Sequence, residues 1–247
     1  MSEVGRESRP EEWVIWHDLE CGAYAADLPL WSTLAAEAGG PVLDLGCGTG
    51  RVSLPLSTDG IDVVGVDREA VFVAELNARA ARDGLAATAR VGDVRDLEVG
   101  GSFALAVAPM QLLQILGGEE ERRACLESIS RHLGPDGRAA FAVVEDFDAA
   151  HEGPPPLPDV REVDGWVYSS LPVSVRPAWE GIIITRLRQI VSPQGEMTEE
   201  QDEVHLSDLP AERLEEEAEG AGLRPAARLQ IDQTDTHVGS TVVVVEA

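Results

Sequence analysis

Ten residues, PVLDLGCGTG at 41–50, restrict this chain more than any other stretch. A short apolar run ends in an acid and enters a turn with glycine at 46, 48 and 50. Such a turn suits a strand that feeds a helix past a bound group, because glycine tolerates left-handed angles and leaves backbone amides uncovered. The flanking sequence extends the pattern. Strand-like runs at 62–67, 87–93, 103–109 and 138–145 alternate with helix-period segments at 68–84 and 119–133. Strands and helices alternating at this spacing specify a parallel sheet covered on both faces.

Outside that block the texture differs. Residues 11–38 read as helical, with EEWVIWHDLE and PLWSTLAAEAG carrying apolar residues three and four apart. A Pro-Asp-Gly turn is expected at 135–137, ahead of the strand at 138–145. HEGPPPLPDVREVDG at 151–165 has no periodicity and reads as a loop. WVYSSLPVSV, GIIITRLRQIVSPQG and EMTEEQDEVHLSDL alternate like strands joined by turns, a small antiparallel insertion. A helix at LPAERLEEEAEGAG, a strand around RLQID and a closing strand STVVVVEA complete the chain.

The formal charge is −26, and all 19 bases are arginine, with no lysine anywhere. An acidic surface repels phosphate backbones, so nucleic acid is not expected as a partner. The missing lysine removes Schiff-base chemistry and the phosphate-reaching lysine of a Walker loop. Three cysteines without a CxxC pair argue against disulfides or a zinc site, and no metal is expected. No apolar run spans a bilayer and no signal-peptide layout opens the chain, so a cytoplasmic protein without membrane contact is expected.

Three ligand classes use a strand, glycine turn and helix. A Walker loop would need Gly-Lys-Ser/Thr where Gly50-Arg51-Val52 stands. The dinucleotide pattern G-x-G-x-x-G would put its third glycine at 51, which is Arg51. The third class fits the wider sequence. VLDLGCGTG, Asp67 at the end of the second strand, GDV at 92–94 and AVAPMQLLQIL at 106–116 occur in order. Together they resemble the class I S-adenosylmethionine-dependent methyltransferases of the small-molecule type. The resemblance covers roughly residues 20–148.

That resemblance implies a Rossmann-like, doubly wound, mostly parallel seven-stranded sheet with a C-terminal antiparallel strand and a small antiparallel β insertion. It implies one methyltransferase domain over 1–247: an N-terminal helical lid at 1–40, a cofactor-binding core at 41–148, the insertion at 149–206 and completion of the sheet at 207–247. S-adenosylmethionine is the implied cofactor. Its implied contacts are Tyr24, Asp44, Gly46, Cys47, Gly48, Thr49, Gly50, Asp67, Arg68, Gly92, Asp93, Val94, Ala108 and Pro109. Asp67 would take the ribose hydroxyls, Asp93 the adenine amino group, and Asp44 would lie near the ligand's amino group and the loop amides. Tyr24 would close over the methionine end, with Trp16 and His17 lining the same lid. Asp67 and Asp93 also suit helix or turn capping. Arg51 is expected at the surface.

The implied reaction moves a methyl group to an N or O nucleophile of a small molecule by in-line displacement. No base stands out. Gln111, Gln114 and Glu145 are candidate catalytic residues at the ends of the fourth and fifth strands, with Asp146 and His151 nearby. Trp166, Tyr168 and Trp179 could give the insertion a stacking surface, and Arg186 and Arg188 could hold an anionic acceptor or form a solvated face. The same strands could instead pair across a homodimer. Two other readings stay open: a protein that binds the cofactor or its demethylated product without catalysis, and an NAD-type oxidoreductase.

Overall fold

A computed structural model describes residues 10–146, 157–234 and 237–247. The helical N-terminal region is two helices, α1 (Pro10–Glu20) and α2 (Leu28–Ala38), separated by a turn through Gly22. Asp27 stands before α2, Pro29 occupies its first turn, and left-handed Gly39 (φ 63°) ends it.

The core elements follow as β1 (Val42–Leu45), α3 (Ser53–Thr58), β2 (Val63–Asp67), α4 (Ala70–Asp83), β3 (Thr88–Val91) and β4 (Phe103–Ala108). After them come α5 (Leu112–Ile115), α6 (Glu119–Ser130) and β5 (Leu133–Val143). The insertion holds β6 (Asp159–Val163), β7 (Trp166–Ala178), β8 (Gly181–Val191) and β9 (Met197–Ser207). The chain returns through α7 (Ala211–Gly220), β10 (Arg224–Ile231) and β11 (Ser240–Glu246).

The main sheet has seven strands in the order β10-β11-β5-β4-β1-β2-β3. β1 to β5 run parallel, and β11 is antiparallel to both neighbours. Helices cover both faces. Trp31, Leu34, Leu56 and Leu76 pack on one side, and Leu126, Ile129, Leu209 and Leu214 on the other. The central strands β1 and β4 read as apolar runs, broken only by Asp44 in β1, because both of their faces are buried. The order reverses between β1 and β4, so the crevice at their carboxyl ends is where such a sheet binds its ligand.

Two sequence expectations change. Residues 135–137 do not form a turn ahead of β5 but lie within it. Pairing with β4 shifts from Phe103–Leu133 to Leu105–Arg138, so the Pro-Asp-Gly segment is absorbed as an irregularity of the strand. The presumed loop at 151–165 contains β6, which pairs antiparallel with β7 from Asp159–Ser170 to Val163–Trp166. Its alternation was hidden by charged side chains on an edge strand. β6 to β9 form a separate four-stranded antiparallel sheet.

Candidate active site

β1 delivers Asp44 to the turn at 46–50, where Gly46, Gly48 and Gly50 all have positive φ (63°, 53° and 99°). Cys47 donates its N–H to the Val66 carbonyl at 3.1 Å, tying the turn to β2. Its thiol is buried where a Cβ on Gly65 would stand, which makes it a packing group. Asp44 is almost wholly buried, at 1% exposure. One of its oxygens accepts the Ser53 hydroxyl at 2.6 Å, while Oδ1 has no donor among the described residues. Burial pushes this carboxyl up to about 6, against the partial relief from Ser53. An orphaned buried carboxylate oxygen beside a glycine turn fits a cationic ligand group such as an ammonium.

Asp67 ends β2 and is already engaged. Its Oδ2 accepts the Gly48 N–H at 2.8 Å and its Oδ1 accepts the Glu69 N–H at 2.9 Å, ahead of α4. Each oxygen keeps a second lone pair for a hydroxyl. Asp93 follows β3 and is turned toward Arg95, whose backbone N–H and guanidinium it accepts at 2.9 Å. These bonds hold its carboxyl below the usual range. Of the other expected contacts here, Val94 is buried, Gly92 donates to the Asp67 carbonyl at 3.0 Å, and Arg68 points to solvent beside Glu69.

The roof is α1 and the turn after it. His17 lies directly over Gly48, where a Cβ would collide with its Nε2 and Cε1 atoms. The Thr49 hydroxyl donates to Asp18 at 2.7 Å and lies 3.3 Å from His17 Nδ1. Tyr24 is buried, its ring 4.5 Å from that of His237. Arg51 is not at the surface: its guanidinium binds Asp27 at 2.6 and 2.8 Å, donates to the Tyr24 carbonyl at 2.9 Å and lies over the Tyr24 ring. Asp27, which also accepts the Trp31 indole at 2.7 Å, is the anchor that sequence reasoning missed. It stands at the N-cap position of α2, yet its side chain makes no cap bond there.

At the mouth of β4, Ala108 is buried, and Pro109 precedes two left-handed residues, Met110 (φ 54°) and Gln111 (φ 61°). Leu112 then lies under Gly46. The candidates Gln114 and Glu145 serve the scaffold instead. Gln114 Nε2 donates to the Val144 and Ser207 carbonyls, both at 3.0 Å, and Oε1 accepts the Val144 N–H at 2.8 Å. Glu145 accepts the Ala211 N–H at 2.9 Å, at the start of α7, and the Thr241 hydroxyl at 2.6 Å. Gln111 is the one of the three with no side-chain bond among the described residues, and His151 lies outside those residues.

The insertion arginines are neither solvated nor free for an anion. Arg188 pairs with Glu20 at 2.6 Å and Asp202 at 3.1 Å, and Arg186 pairs with Asp159 at 2.7 Å. Tyr168 packs edge-on against Trp16 at 5.3 Å, whereas Trp179 is 87% exposed at the β7–β8 tip and lines nothing. A cavity of about 380 Å³ lies between α1, α4 and the β8–β9 strands, with Trp13, Trp16, His17, Phe72 and Asp202 in its wall.

Residues 42–137 match the family described as "Methyltransferase domain". The cypemycin N-terminal methyltransferase of a Streptomyces species is 39% identical over 103 residues, 41% of this chain and 40% of that enzyme. The match thus spans well under half of the relative's length. The sugar N-methyltransferase KedS8 from Streptoalloteichus sp. ATCC 53650 superposes with a TM-score of 0.75 at 18% identity, covering 99% of this chain and 96% of that one. Streptomyces venezuelae DesVI gives 0.74 at 20% identity, covering 96% and 99%. Motif order, strand order and these comparisons agree: the chain has the class I S-adenosylmethionine-dependent methyltransferase fold, and its residues 42–137 are similar to the methyltransferase-domain family.

Proposed function

We propose that the protein is a methyltransferase that moves a methyl group from S-adenosylmethionine to a nitrogen or oxygen of a small molecule. One observation carries the reading: the buried Asp44 Oδ1, unpaired beside the glycine turn, matches a ligand with an ammonium at that end. Asp67, fixed by two backbone N–H groups, offers acceptors for vicinal hydroxyls farther along the turn. Tyr24, the 46–50 turn, Arg68, the 92–94 segment, Ala108 and Pro109 complete the proposed cofactor surface.

The cofactor when bound supplies an activated methyl on a sulfonium. The chain's own contribution is orientation and exclusion of water. α1 roofs the glycine turn, Leu112 supports Gly46 from below, and the four-stranded sheet closes the side that α1 leaves. Gln111 is the side chain placed to hold an acceptor by hydrogen bonds. Gln114 and Glu145 keep the mouth in shape. Nitrogen is the favoured acceptor atom, since a neutral amine needs no base, KedS8 is a sugar N-methyltransferase and the cypemycin enzyme is an N-terminal methyltransferase. The proposed layout is one domain, lid 1–40, core 41–148, insertion 149–206 and completion 207–247, working in the cytoplasm. Among the described residues no helix is long and apolar enough to cross a membrane. The charge of −26 disfavours nucleic acid.

A non-catalytic binder is the second reading, favoured by the commitment of Gln114 and Glu145 to the scaffold. Calorimetric titration with S-adenosylmethionine, S-adenosylhomocysteine and NAD, repeated on Asp67→Ala, tests the cofactor. Binding of the two adenosyl ligands that collapses in the variant is expected. NAD binding with neither adenosyl ligand bound would overturn it. A screen of small amines with labelled cofactor then separates enzyme from binder: label transfer supports the enzyme, and tight binding with no transfer the binder.

A further inference from the structure

His17 carries a piece of chemistry that the glycine turn alone does not explain. Burial lowers its pKa, against the raising effect of Asp18 and Asp67, so the ring is neutral near pH 7. Asp18 can only accept when ionised. Burial would raise its carboxyl, but bonds from Arg79, Thr49 and Arg161 outweigh that and hold it below its ordinary value. The single Thr49 hydroxyl proton is therefore spent on Asp18, at 2.7 Å. Toward His17, Thr49 Oγ1 can act only as an acceptor, so the Nδ1 atom 3.3 Å away carries the imidazole proton. Nε2 is then a bare lone pair, and no donor among the described residues reaches it.

The ring cannot turn away easily. Phe72 packs on it with centroids 4.6 Å apart, and Nε2 rests over the Cα of Gly48. The N–H of the same glycine donates to Asp67 Oδ2 at 2.8 Å. Two hydrogen-bond acceptors, one anionic and one neutral, thus flank a single residue of the cofactor turn.

We propose that His17 is a cofactor-binding residue whose Nε2 accepts a hydroxyl of the nucleoside ribose beside Asp67. The inference rests on the methyltransferase reading for the identity of the ligand. A vicinal diol has two protons to give, and the pair Asp67 and His17 takes one each. The arrangement also explains why Gly48 must lack a side chain: α1 fills that space with an imidazole. Any other residue at 48 would push the acceptor off the turn.

The test measures S-adenosylhomocysteine binding by calorimetry in the wild type, His17→Phe and His17→Ala, with thermal unfolding as a control for folding. His17→Phe keeps a ring against Phe72 and removes both nitrogens. A roughly 5- to 30-fold loss of affinity is expected, the range for one hydrogen bond of about 1–2 kcal/mol. The 2′-deoxy and 3′-deoxy analogues locate the bond: one of them should bind wild type more weakly yet bind His17→Phe no worse than the parent ligand. In ¹⁵N-histidine spectra, the His17 Nε2 resonance should shift on ligand addition while Nδ1 stays protonated.

Unchanged affinity in a folded His17→Phe, or tighter binding by His17→Ala, would overturn the proposal. The second result would make the ring an obstacle in the site. Wild-type protein that binds no adenosyl ligand would instead sink the methyltransferase reading itself. If binding is lost in Asp67→Ala but not in either His17 variant, only the assignment of His17 fails.

Discussion

The seven-stranded sheet and the four-stranded sheet are held by different physics. In the first, the central strands are apolar on both faces, and Leu105, Val107, Ala140 and Phe141 are essentially inaccessible. In the second, β8 is half-buried along most of its length, and charged groups do much of the fastening. Arg188 reaches Glu20, Arg186 reaches Ser170 and Asp159, and Arg161 reaches Asp18. Glu20 and Asp18 both belong to α1, which also packs on α4. The helix over the glycine turn is thus anchored to both sheets, by ion pairs on the insertion side. Hydrophobic burial is non-directional, whereas bidentate Arg–carboxylate pairs fix one approach angle, which suits a wall that must keep register with the glycine turn.

The largest effect should come from cutting into the apolar sheet. Phe141→Ala removes a ring that packs at the centre of the core and should cost about 3–5 kcal/mol, by the usual sum of lost transfer energy and cavity. Urea unfolding with an unchanged slope is the check. A loss below about 1 kcal/mol would mean that the core relaxes around the void, and the contrast with the insertion would fail.

Next in size is Glu20→Gln. Glu20 accepts from Arg188 at 2.6 and 2.7 Å and from Ser170 at 2.7 Å, with only 12% of its side chain exposed. Removing its charge leaves Arg188 with Asp202 alone and should weaken the attachment of α1 by about 1–3 kcal/mol. Hydrogen exchange should show faster opening of α1, with the β1 and β4 amides unmoved. Equal acceleration in the core strands would show that the two regions unfold as one.

How legible each region was follows the same division. The central parallel strands announced themselves because double burial leaves mostly apolar residues to read, and the glycine turn because positive φ admits few others. Asp44 and Asp67 were legible as acids at strand ends. Arg51 was not: a charged residue opening a helix looks like surface, and its burial depends on Asp27, 24 positions earlier. Arg186 and Arg188 misled for the same reason, since their partners Glu20 and Asp159 come from α1 and β6. Ionic register across distant elements leaves no periodic trace. Gln114 and Glu145 looked catalytic by position, and only their hydrogen bonds show them to be braces.

Acid titration should separate the regions by sign. Asp44 is raised to about 6 in the fold from an ordinary 3.8, chiefly by burial, so its ionisation opposes folding. Stability should therefore rise as pH drops from 7 toward that value, and Asp44→Asn should abolish the rise. Glu20 and Asp18 run the other way. Their burial is outweighed by arginine and hydroxyl donors, so their folded values lie below the ordinary 4.5 and 3.8. The stability they give is complete above those ordinary values and is lost as pH falls through the lowered ones. Below about pH 4.5, then, tryptophan fluorescence from Trp13 and Trp16 on α1 should change before the core melts. A single transition with no rise above it would erase the distinction.

The smallest effect belongs to the far end of the insertion. Trp179 is 87% exposed at the tip between β7 and β8, where Ala178 pairs with Gly181. An indole in water contributes no packing, so Trp179→Ser should change unfolding free energy by no more than about 0.5 kcal/mol. Its value lies in a second readout, sedimentation velocity. A large exposed aromatic is the sort of residue that anchors an interface. If two copies associate through this tip, as the antiparallel sheet allows, the substitution will shift a dimer to a monomer while leaving the monomer's stability untouched. If the wild type sediments as a monomer, the tip holds no second copy, and the four-stranded sheet serves its own chain through α1 and α5.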